Sequence, residues 1–433
     1  MSYAYQNPTR TTTLLLLWIG LLGCSTRTIH SFVHIQARAS NPRPSGSAGN
    51  HNHRIASAKH HRPSAGPTPS ATGFDGSSEL YGSEGSREED IDEDASYERA
   101  QRIMYNQLSR KRESVRYQII AAEACEPLAM RMAEKYPDRF HFHPTTWAKF
   151  PDGTDNIEIG GFSNPRNVVS GEKVLFLGSF HSNDTTLSQF QVMICLLQSF
   201  IESLTVVLPF SPVGTMERVT NEGQVATAAT YAHMFSSLPN CGRPTRLMVY
   251  DLHTLQNRFY LHGNSVASLH TAIPLLKEKI EATGINCVAF PDDGAAKRFS
   301  GMFLDMDLEI IVCGKTRGEG DARSVTIQDG NADGKHIVIV DDLVQTGGTL
   351  YETGRVLEEA GAASVNAFVT HGVFPNESWK RFNKGGDRAC FEKFWVTNSI
   401  PTVTNDLPEE DGIFEVLDLL DLIIDDLDHY NSI

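Results

Sequence analysis

VIVDDLVQTGGTL, residues Val338–Leu350, is the stretch of sequence that decides the fold. It has the pattern of an apolar strand that ends in two carboxylates, Asp341 and Asp342, and continues through the turn TGGT into a helix. In open α/β sheets, binding sites lie beyond the carboxyl ends of the strands. The stretch therefore predicts an α/β protein with a polar site at the end of this strand.

The turn TGGT has the chemistry of a phosphate site. Gly347 and Gly348 can turn tightly and let backbone N–H groups approach an anion, and Thr346 and Thr349 add hydroxyl donors at the positive end of a helix. The two preceding carboxylates would repel a phosphate, so they suit sugar hydroxyls or a ligand that carries Mg²⁺. We therefore expect a sugar-phosphate site. The alternative is a glycine-rich turn with incidental acids.

Strand and helix patterns alternate through the rest of residues 116–433. Apolar runs predict strands at 116–122, 173–180, 204–210, 246–253, 285–293, 308–315, 336–342, 364–374 and 391–398. Helical spacing falls between them, at 123–136 and about 188–203, 223–237, 272–282 and 349–360. Strands separated by helices imply mainly parallel sheets with right-handed crossovers.

The two halves of this region resemble each other. GEKVLFLGSFHSNDT, from residue 171, aligns with GKHIVIVDDLVQTGGT, from residue 334. Gly178 and Ser179 stand where the second copy has its acidic pair, so only the second half could use such a pair. We predict a leader at 1–74, an acidic linker and helix at 75–115, and domains at 116–262 and 263–433.

Charge separates the leader from the body of the 433-residue chain. Residues 1–74 hold seven Lys or Arg and no Asp or Glu, which leaves 31 basic and 53 acidic residues, a net charge of −22, in the rest. An acidic body argues against a nucleic-acid or membrane-surface binder. Seven cysteines without a CxxC pair give neither a disulfide framework nor a zinc spacing.

The leader has two parts. The apolar run Leu14–Cys24 has the length of a signal-peptide core, and about fifty Ser-, Pro-, His- and Arg-rich residues follow. A signal followed by a transit peptide is similar to the leader of plastid proteins in algae with secondary plastids, so we expect a plastid address. A secretory leader with a linker, or another organelle, is the alternative. We expect no membrane anchor in the mature protein.

Five further motifs specify a family. YDLHTLQ (250–256), FPDDGAAKRF (290–299), CGKTRGEGD (313–321), VTHGVF (369–374) and IPTV (400–403) accompany the phosphate loop, residues 345–349. The loop resembles that of type I phosphoribosyltransferases, and the whole set, over about 116–433, resembles ribose-phosphate pyrophosphokinases. PFSPVGTMER (209–218) is similar to the plant-type, phosphate-independent class. The resemblance implies two tandem phosphoribosyltransferase-like domains with mainly parallel sheets flanked by helices.

The resemblance also implies an activity, the transfer of the diphosphoryl group of MgATP to ribose 5-phosphate. This reaction gives 5-phosphoribosyl 1-diphosphate (PRPP) and AMP. Lys315 is implied as the catalytic lysine and Arg317 as a phosphate contact, at the start of a polar, glycine-rich stretch long enough to close over substrate. The implied sugar-phosphate site comprises Asp341, Asp342, Gln345, Thr346, Gly347, Gly348 and Thr349.

Metal and nucleotide positions follow from the same resemblance. His253 and Asp292 are implied as Mg²⁺ positions, with Asp251 in support. Asp251 and His253 are two apart after a strand, which predicts that both point the same way. The implied ATP-binding residues are Phe150, Asp152, Thr154, Arg218, Lys297 and Arg298. Because the loop at Phe150–Asn156 is often contributed by a neighbouring subunit in this family, a homo-oligomer is expected.

Two other functions explain part of the pattern. A nucleobase phosphoribosyltransferase that consumes PRPP would use the phosphate loop but would give no role to the first half, Lys315 or His253. A non-catalytic regulatory subunit would keep the fold, yet Lys315, Asp292 and the TGGT turn are all intact.

Overall fold

A computed structural model describes residues 115–162, 167–212, 219–317, 323–408 and 412–431. The chain divides into the units Met1–Arg87 and Glu88–Ile433, and every described residue lies in the second unit. The predicted leader and acidic linker lie outside the described residues, as does the predicted nucleotide contact Arg218.

The first sheet contains six parallel strands in the order β2-β1-β5-β6-β7-β8. The strands are β1 (Tyr117–Ala121), β2 (Phe140–Phe142), β5 (Lys173–Leu177), β6 (Ser203–Leu208), β7 (Thr245–Tyr250) and β8 (Ser265–His270). The central strands β5 and β6 are almost continuously apolar and buried, as expected where helices cover both faces of a parallel sheet. Two strands between β2 and β5, β3 (Thr145–Lys149) and β4 (Asp155–Ile159), form a separate antiparallel hairpin.

Three α-helices accompany the first sheet: α1 (Glu126–Lys135), α2 (Asn183–Leu197) and α3 (Thr227–Ser236). Short 3₁₀ helices lie at Glu123–Cys125 and Leu255–Tyr260. Helix α2 begins five residues before the predicted start at 188, because the Ser182 hydroxyl caps it by accepting the Thr185 N–H. A serine that accepts the N–H three residues on marks the start of a helix, even where the apolar positions begin later.

The second sheet has seven strands in the order β11-β10-β9-β12-β13-β14-β15. They are β9 (Cys287–Phe290), β10 (Glu309–Arg317), β11 (Arg323–Asp329), β12 (His336–Val344), β13 (Ser364–Gly372), β14 (Phe394–Thr397) and β15 (Phe414–Leu417). All pairs are parallel except β10 with β11. The helices are α4 (Ile273–Thr283), α5 (Asp293–Phe299), α6 (Gly348–Glu359), α7 (Pro401–Thr404) and α8 (Leu420–Asn431), with 3₁₀ helices at Ser300–Phe303 and Pro375–Phe382.

The glycine-rich stretch after Lys315, which was expected to be long enough to close over substrate, includes a β-hairpin, and closure remains a prediction. Strand β10 continues to Arg317, and β11 returns antiparallel with Lys315 opposite Val325. The alternating apolar residues Val325 and Ile327 pack toward the core, which gives the period of two that a half-buried strand needs. Residues 318–322, between the two strands in sequence, lie outside the described residues.

The two sheets are built on one plan. The order β1-β5-β6-β7-β8 in the first sheet corresponds to β9-β12-β13-β14-β15 in the second, so the aligned segments β5 and β12 occupy equivalent places. Strand β8 pairs with β7, so the change from one sheet to the other comes after His270. The predicted domain boundary at 262 remains a prediction.

One apolar core joins the halves. Buried side chains from both sheets belong to a single cluster, among them Ile119, Tyr250, Phe290 and Val338. Helix α8 belongs to the same cluster through Leu420, Ile423, Ile424 and Leu427. The cluster therefore fixes the strand ends of one sheet relative to those of the other.

Charged contacts hold α8 and the residues before it against α1. Arg131 pairs with Asp418, Lys135 donates to Asp421 at 2.6 Å and Arg139 pairs with Asp428. The last pair is largely buried. Leu417 ends β15, and the helix begins three residues later at Leu420.

Candidate active site

The phosphate loop connects β12 to α6. Gly347 has φ +72°, a left-handed conformation, and a Cβ atom there would lie 2.2 Å from Cζ of Phe382. Both facts require glycine. As the N-cap of α6, Gly347 also offers no side chain to the first-turn N–H groups, and no side-chain cap is present. The open end of α6 thus has the donors and the partial positive charge that favour a phosphate.

Lys315 lies at this loop. Its Nζ atom donates to Oγ1 of Thr349 at 3.1 Å, although the two residues are on different elements. Lys315 lies near the end of strand β10, and its side chain is exposed. Arg317 is the last residue of β10, but its side chain is outside the described part of the structure. The structure thus brings together the predicted catalytic lysine and the predicted phosphate loop.

The remaining loop residues are held by their backbone. The backbone carbonyl of Gln345 accepts a hydrogen bond from the Ser378 hydroxyl at 3.0 Å. The side chains of Gln345 and Thr346 are exposed. Thr349, one turn into α6, accepts through its carbonyl from Thr353. The loop is therefore anchored while its polar side chains face solvent.

The two carboxylates at the end of β12 have opposite electrostatic surroundings. Burial and the neighbouring charge of Asp342 raise the pKa of Asp341 well above its usual range, and Asp292 adds to this effect. Burial also opposes ionisation of Asp342, but His253 and Arg298 outweigh it and hold the pKa of Asp342 below its usual range. The acidic side chains of the site outnumber its cationic side chains. A divalent cation would compensate this excess of negative charge.

His253 contacts this pair directly, because its Nδ1 atom lies 2.8 Å from Oδ2 of Asp342. Asp251 is in a different environment. It has φ +36°, is buried, and accepts the Ala272 N–H at 2.8 Å and the Thr370 hydroxyl at 2.6 Å. Because the backbone at Asp251 is left-handed, the strand geometry ends there, and Asp251 and His253 do not point the same way as their spacing predicted. Asp251 therefore joins the two halves, whereas His253 faces the carboxylates.

Arg298 lies between the same groups. Its guanidinium donates to the Leu252 carbonyl and lies 3.4 Å from Asp251 and 3.5 Å from Asp342, with most of the side chain buried. Lys297, next to it on α5, is exposed. Asp292 caps α5 by accepting from the N–H groups of the next turn. Arg298 thus links the halves, while Lys297 and Asp292 face outward.

The predicted nucleotide residues Phe150, Asp152 and Thr154 lie at the turn of the β3–β4 hairpin. Asp152 accepts from the Thr154 N–H and hydroxyl, and these bonds lower the pKa of Asp152. Phe150 is half exposed. Among the described residues, none of the three makes a hydrogen bond or ion pair with the phosphate loop.

Sequence reasoning missed several residues at this site. Thr370 and His371 of β13 are buried beside Asp251, and His371 contacts the Ser399 hydroxyl and the Tyr250 carbonyl. Burial lowers the pKa of His371. The motif VTHGVF was the available signal, but no role had been attached to it. A cavity of about 190 Å³ opens beside these residues, lined by Phe210, Pro212, His253, Gln345, His371 and Val373 among others.

No group of three or more His, Cys, Asp or Glu side chains in the described ranges converges on one metal position. Mg²⁺ commonly takes one or two carboxylates and completes its shell with water and phosphate oxygens. The carboxylates of Asp341 and Asp292 fit such an ion, because they place negative charge near the loop, and His253 contacts the neighbouring Asp342. Asp251 does not fit as a direct ligand, since its carboxylate already accepts three donors.

Comparison with known proteins first gives the class. A family model described as "Phosphoribosyl transferase domain" matches residues 269–399. The structure is similar to that of the phosphoribosylpyrophosphate synthetase from Mycobacterium smegmatis, with a TM-score of 0.58 and 22% identity over 72% of this chain and 97% of that one. The fold is thus that of two phosphoribosyltransferase-like domains.

Curated relatives then give the family. The chain is 43% identical to ribose-phosphate pyrophosphokinase 4 of Oryza sativa over 70% of this chain and 93% of the relative. It is 41% identical to the chloroplastic ribose-phosphate pyrophosphokinase 3 of the same species, over 65% and 69%. It is 43% identical to the mitochondrial ribose-phosphate pyrophosphokinase 3 of Spinacia oleracea, over 67% and 71%. The chain belongs to the ribose-phosphate pyrophosphokinase family.

None of the helices in the described ranges combines the length and apolar character that a membrane span requires.

Proposed function

We propose that this protein is a ribose-phosphate diphosphokinase, which transfers the diphosphoryl group of MgATP to the anomeric hydroxyl of ribose 5-phosphate and yields PRPP and AMP. The observation that carries the proposal is the contact between Lys315 and Thr349. It joins a cationic side chain to a phosphate loop within a two-domain fold. Family membership supports the same reaction.

The loop binds ribose 5-phosphate in this proposal. Backbone N–H groups at Gly347, Gly348 and Thr349 and the hydroxyls of Thr346 and Thr349 hold its phosphate. Asp341 and Asp342 accept hydrogen bonds from the ribose hydroxyls, and Gln345 lies at the rim. A fixed sugar leaves its anomeric hydroxyl in one position for in-line attack on the β-phosphorus of ATP.

Lys315 stabilises the negative charge that develops on the transferred group, and Arg317 adds a second cation on the same strand. The amine can reach that charge because β10 holds it beside the loop that binds the acceptor. Mg²⁺, held by His253 and Asp292 together with phosphate oxygens, would neutralise part of the charge on ATP. Asp251 supports His253 from the interior.

For ATP we propose the hairpin residues Phe150, Asp152 and Thr154, together with Arg218, Lys297 and Arg298. The exposed Phe150 ring offers a stacking surface for a base. If the hairpin serves the site of a neighbouring copy, the active protein is a homo-oligomer. The buried contacts of Arg298 favour an indirect role for that residue, through the groups that it joins.

The test is a reaction of the full-chain protein with MgATP and ribose 5-phosphate in phosphate-free buffer. We expect PRPP and AMP in equal amounts, and activity without added phosphate would support the plant-type class. Absence of AMP would contradict the proposal. Pyrophosphate released from PRPP and a nucleobase would instead favour a phosphoribosyltransferase, an alternative that the relatives do not favour.

We also propose plastid import of the protein. The acid-free composition of residues 1–74 supports an organelle address, and the relatives include proteins named chloroplastic and mitochondrial. A fluorescent protein fused to residues 1–100 in an algal cell should enter the plastid. Secretion of the fusion, or its arrival in mitochondria, would reject this address.

A further inference from the structure

The phosphate loop brings no positive side chain of its own. Residues 338–350 contain two aspartates and no Lys, Arg or His. A sugar phosphate bound at the end of α6 would therefore face two carboxylates, and backbone dipoles contribute only partial charges. Full positive charge must reach the loop from other parts of the chain. Lys315 is one source, but it is the residue proposed to act on the transferred group.

Arg388 is a second source. Its Nη1 atom donates to the Thr346 carbonyl at 2.5 Å, although the two residues are 42 positions apart. The same Nη1 atom lies 3.9 Å from where a Cβ atom on Gly348 would be. The guanidinium also lies over the ring of Tyr351 on α6, 5.8 Å from its centroid. The hydrogen bond to Thr346 and the contact with Tyr351 thus hold Arg388 at the residues that form the open end of α6.

The segment that carries Arg388 is held firmly to the loop. Phe382, at the start of this segment, packs beneath Gly347, and the Arg388 N–H donates to the Arg381 carbonyl at 2.9 Å. Asp387, the nearest acid in sequence, is bound by the Arg381 side chain, with Nε at 3.0 Å from Oδ1. Asp387 therefore has its own cation, and Arg388 remains directed to the loop.

We infer that Arg388 is a phosphate-binding residue, which contacts the phosphate of ribose 5-phosphate at the loop. The inference rests on the proposed function for the identity of the sugar. A guanidinium has five N–H donors, so its bond to the Thr346 carbonyl leaves donors for an anionic acceptor. The bond also turns that carbonyl, whose oxygen would repel a phosphate, toward the arginine.

The experiment compares Arg388→Gln, Arg388→Lys and a control, Lys384→Gln, in the full-chain protein. Lys384 is exposed in the same segment, so the control removes the same charge without removing the contact. Binding of ribose 5-phosphate is measured by calorimetry, and KM values for both substrates are measured by PRPP formation.

For Arg388→Gln we expect Kd and KM for ribose 5-phosphate to rise about 10- to 100-fold, the range of a charge-assisted hydrogen bond. KM for ATP and kcat should change less than about threefold, since the contact forms in the ground state as well as in the transition state. Arg388→Lys should recover part of the affinity, because it keeps the charge and loses the planar fork. Lys384→Gln should match the original protein.

Unchanged ribose 5-phosphate affinity in Arg388→Gln would overturn the inference, and so would an equal loss in Lys384→Gln, which would indicate a general charge effect. If Arg388→Gln does not fold, the partial loss in Arg388→Lys decides the question. Arg388-dependent binding in a protein that makes no PRPP would sustain the inference while the proposed function falls. PRPP formation by a protein in which Arg388→Gln binds ribose 5-phosphate normally would sustain the proposed function and overturn the inference about Arg388.

Discussion

The two halves contain equivalent strand-to-helix connections with opposite chemistry. In the first half, β5 enters α2 through residues 178–182, and Ser182 caps the helix. Gln189 binds both the N–H and the carbonyl of Ser179, at 3.0 and 2.7 Å. In the second half, β12 enters α6 through Gly347, which has no side chain to cap the helix. The first connection supplies a side-chain acceptor for a first-turn N–H of its helix. The second connection supplies none.

The difference shows that the two halves of a duplicated fold can use equivalent connections for different purposes, helix stabilisation in one half and anion binding in the other. The Ser182 cap stabilises helix α2 and occupies one of its first-turn N–H groups. Gly347 forgoes only about a few tenths of a kcal/mol relative to such a cap and leaves the first-turn N–H groups of α6 to an anion. The acidic pair and Lys315 appear beside the open connection, where a bound phosphate can use them. The first half contributes other groups to the proposed site: Asp251 and His253 at its edge and the β3–β4 hairpin proposed for ATP.

We expect the largest effect on activity from the removal of Lys315 in the second half. Lys315→Ala should lower kcat for PRPP formation by about 10²- to 10³-fold, the usual effect of one lost transition-state contact. Lys135→Ala, in the first half, removes an exposed ion pair with Asp421 and should leave kcat unchanged. Equal activity of the two variants would contradict the role of Lys315.

One glycine from each connection sharpens the comparison. Gly347→Ala places a Cβ atom in a left-handed conformation and against Phe382, so it should destabilise the protein by about 2 kcal/mol. Gly178→Ala places its closest contact at the side-chain tip of Leu208, at 2.8 Å, and should cost about 1 kcal/mol. Urea denaturation measures both changes. A larger loss at Gly178 would reverse the assignment of the strained turn.

A buried histidine in each half gives a pH test. Burial and the nearby His141 lower the pKa of His143, in the first half, to about 4. Because the unfolded value is about 6.5, the unfolded state binds more protons, and stability falls as the pH decreases from about 6.5 toward 4.

His143→Gln should therefore lose about 1–2 kcal/mol less unfolding free energy between pH 7 and pH 5 than the original protein. Urea titrations at the two pH values measure this difference. His371 titrates in both proteins, so its contribution cancels. An identical pH dependence in the two proteins would show that His143 does not take up a proton on unfolding.

Loss of the first-half cap should have the smallest effect. Ser182→Ala removes the acceptor for the Thr185 N–H, so unfolding free energy should decrease by about 1 kcal/mol. KM for ribose 5-phosphate should not change, because this helix end is not the sugar-phosphate site. Thermal denaturation and steady-state kinetics measure the two quantities, and a raised KM would mean that both connections bind substrate.

The central strands could be predicted because each is a continuous apolar run that is buried on both faces. Strands β5, β12 and β13 are of this kind. The sequence does not predict β2, β3, β4, β8, β11 or β15, because these strands are short, mixed in polarity or half exposed, so their pairing depends on tertiary contacts. Helix α2 was placed too late because its polar cap lay outside the apolar period.

The phosphate loop could be predicted because its chemistry is local in sequence. The contact between Lys315 and Thr349 depends on the sheet order, in which β9 lies between β10 and β12, and the sequence alone does not give that order. Arg388 could not be found in this way, because NKGGDRAC has no periodicity and its position depends on Phe382 packing under Gly347. The buried contacts of Asp251 are also hidden in the sequence, since its partners Ala272, Arg298 and Thr370 lie 21, 47 and 119 positions away.

The attachment of α8 to α1 has a consequence for the living cell. The ion pairs of Arg131, Lys135 and Arg139 span 287, 286 and 289 positions of the chain. At a synthesis rate of about 5–20 residues per second, α1 leaves the ribosome roughly 15–60 s before its covering helix is made. During that interval the apolar side chains that α8 later covers stay open to water. The nascent first half is therefore the form of this protein with the greatest need of a chaperone.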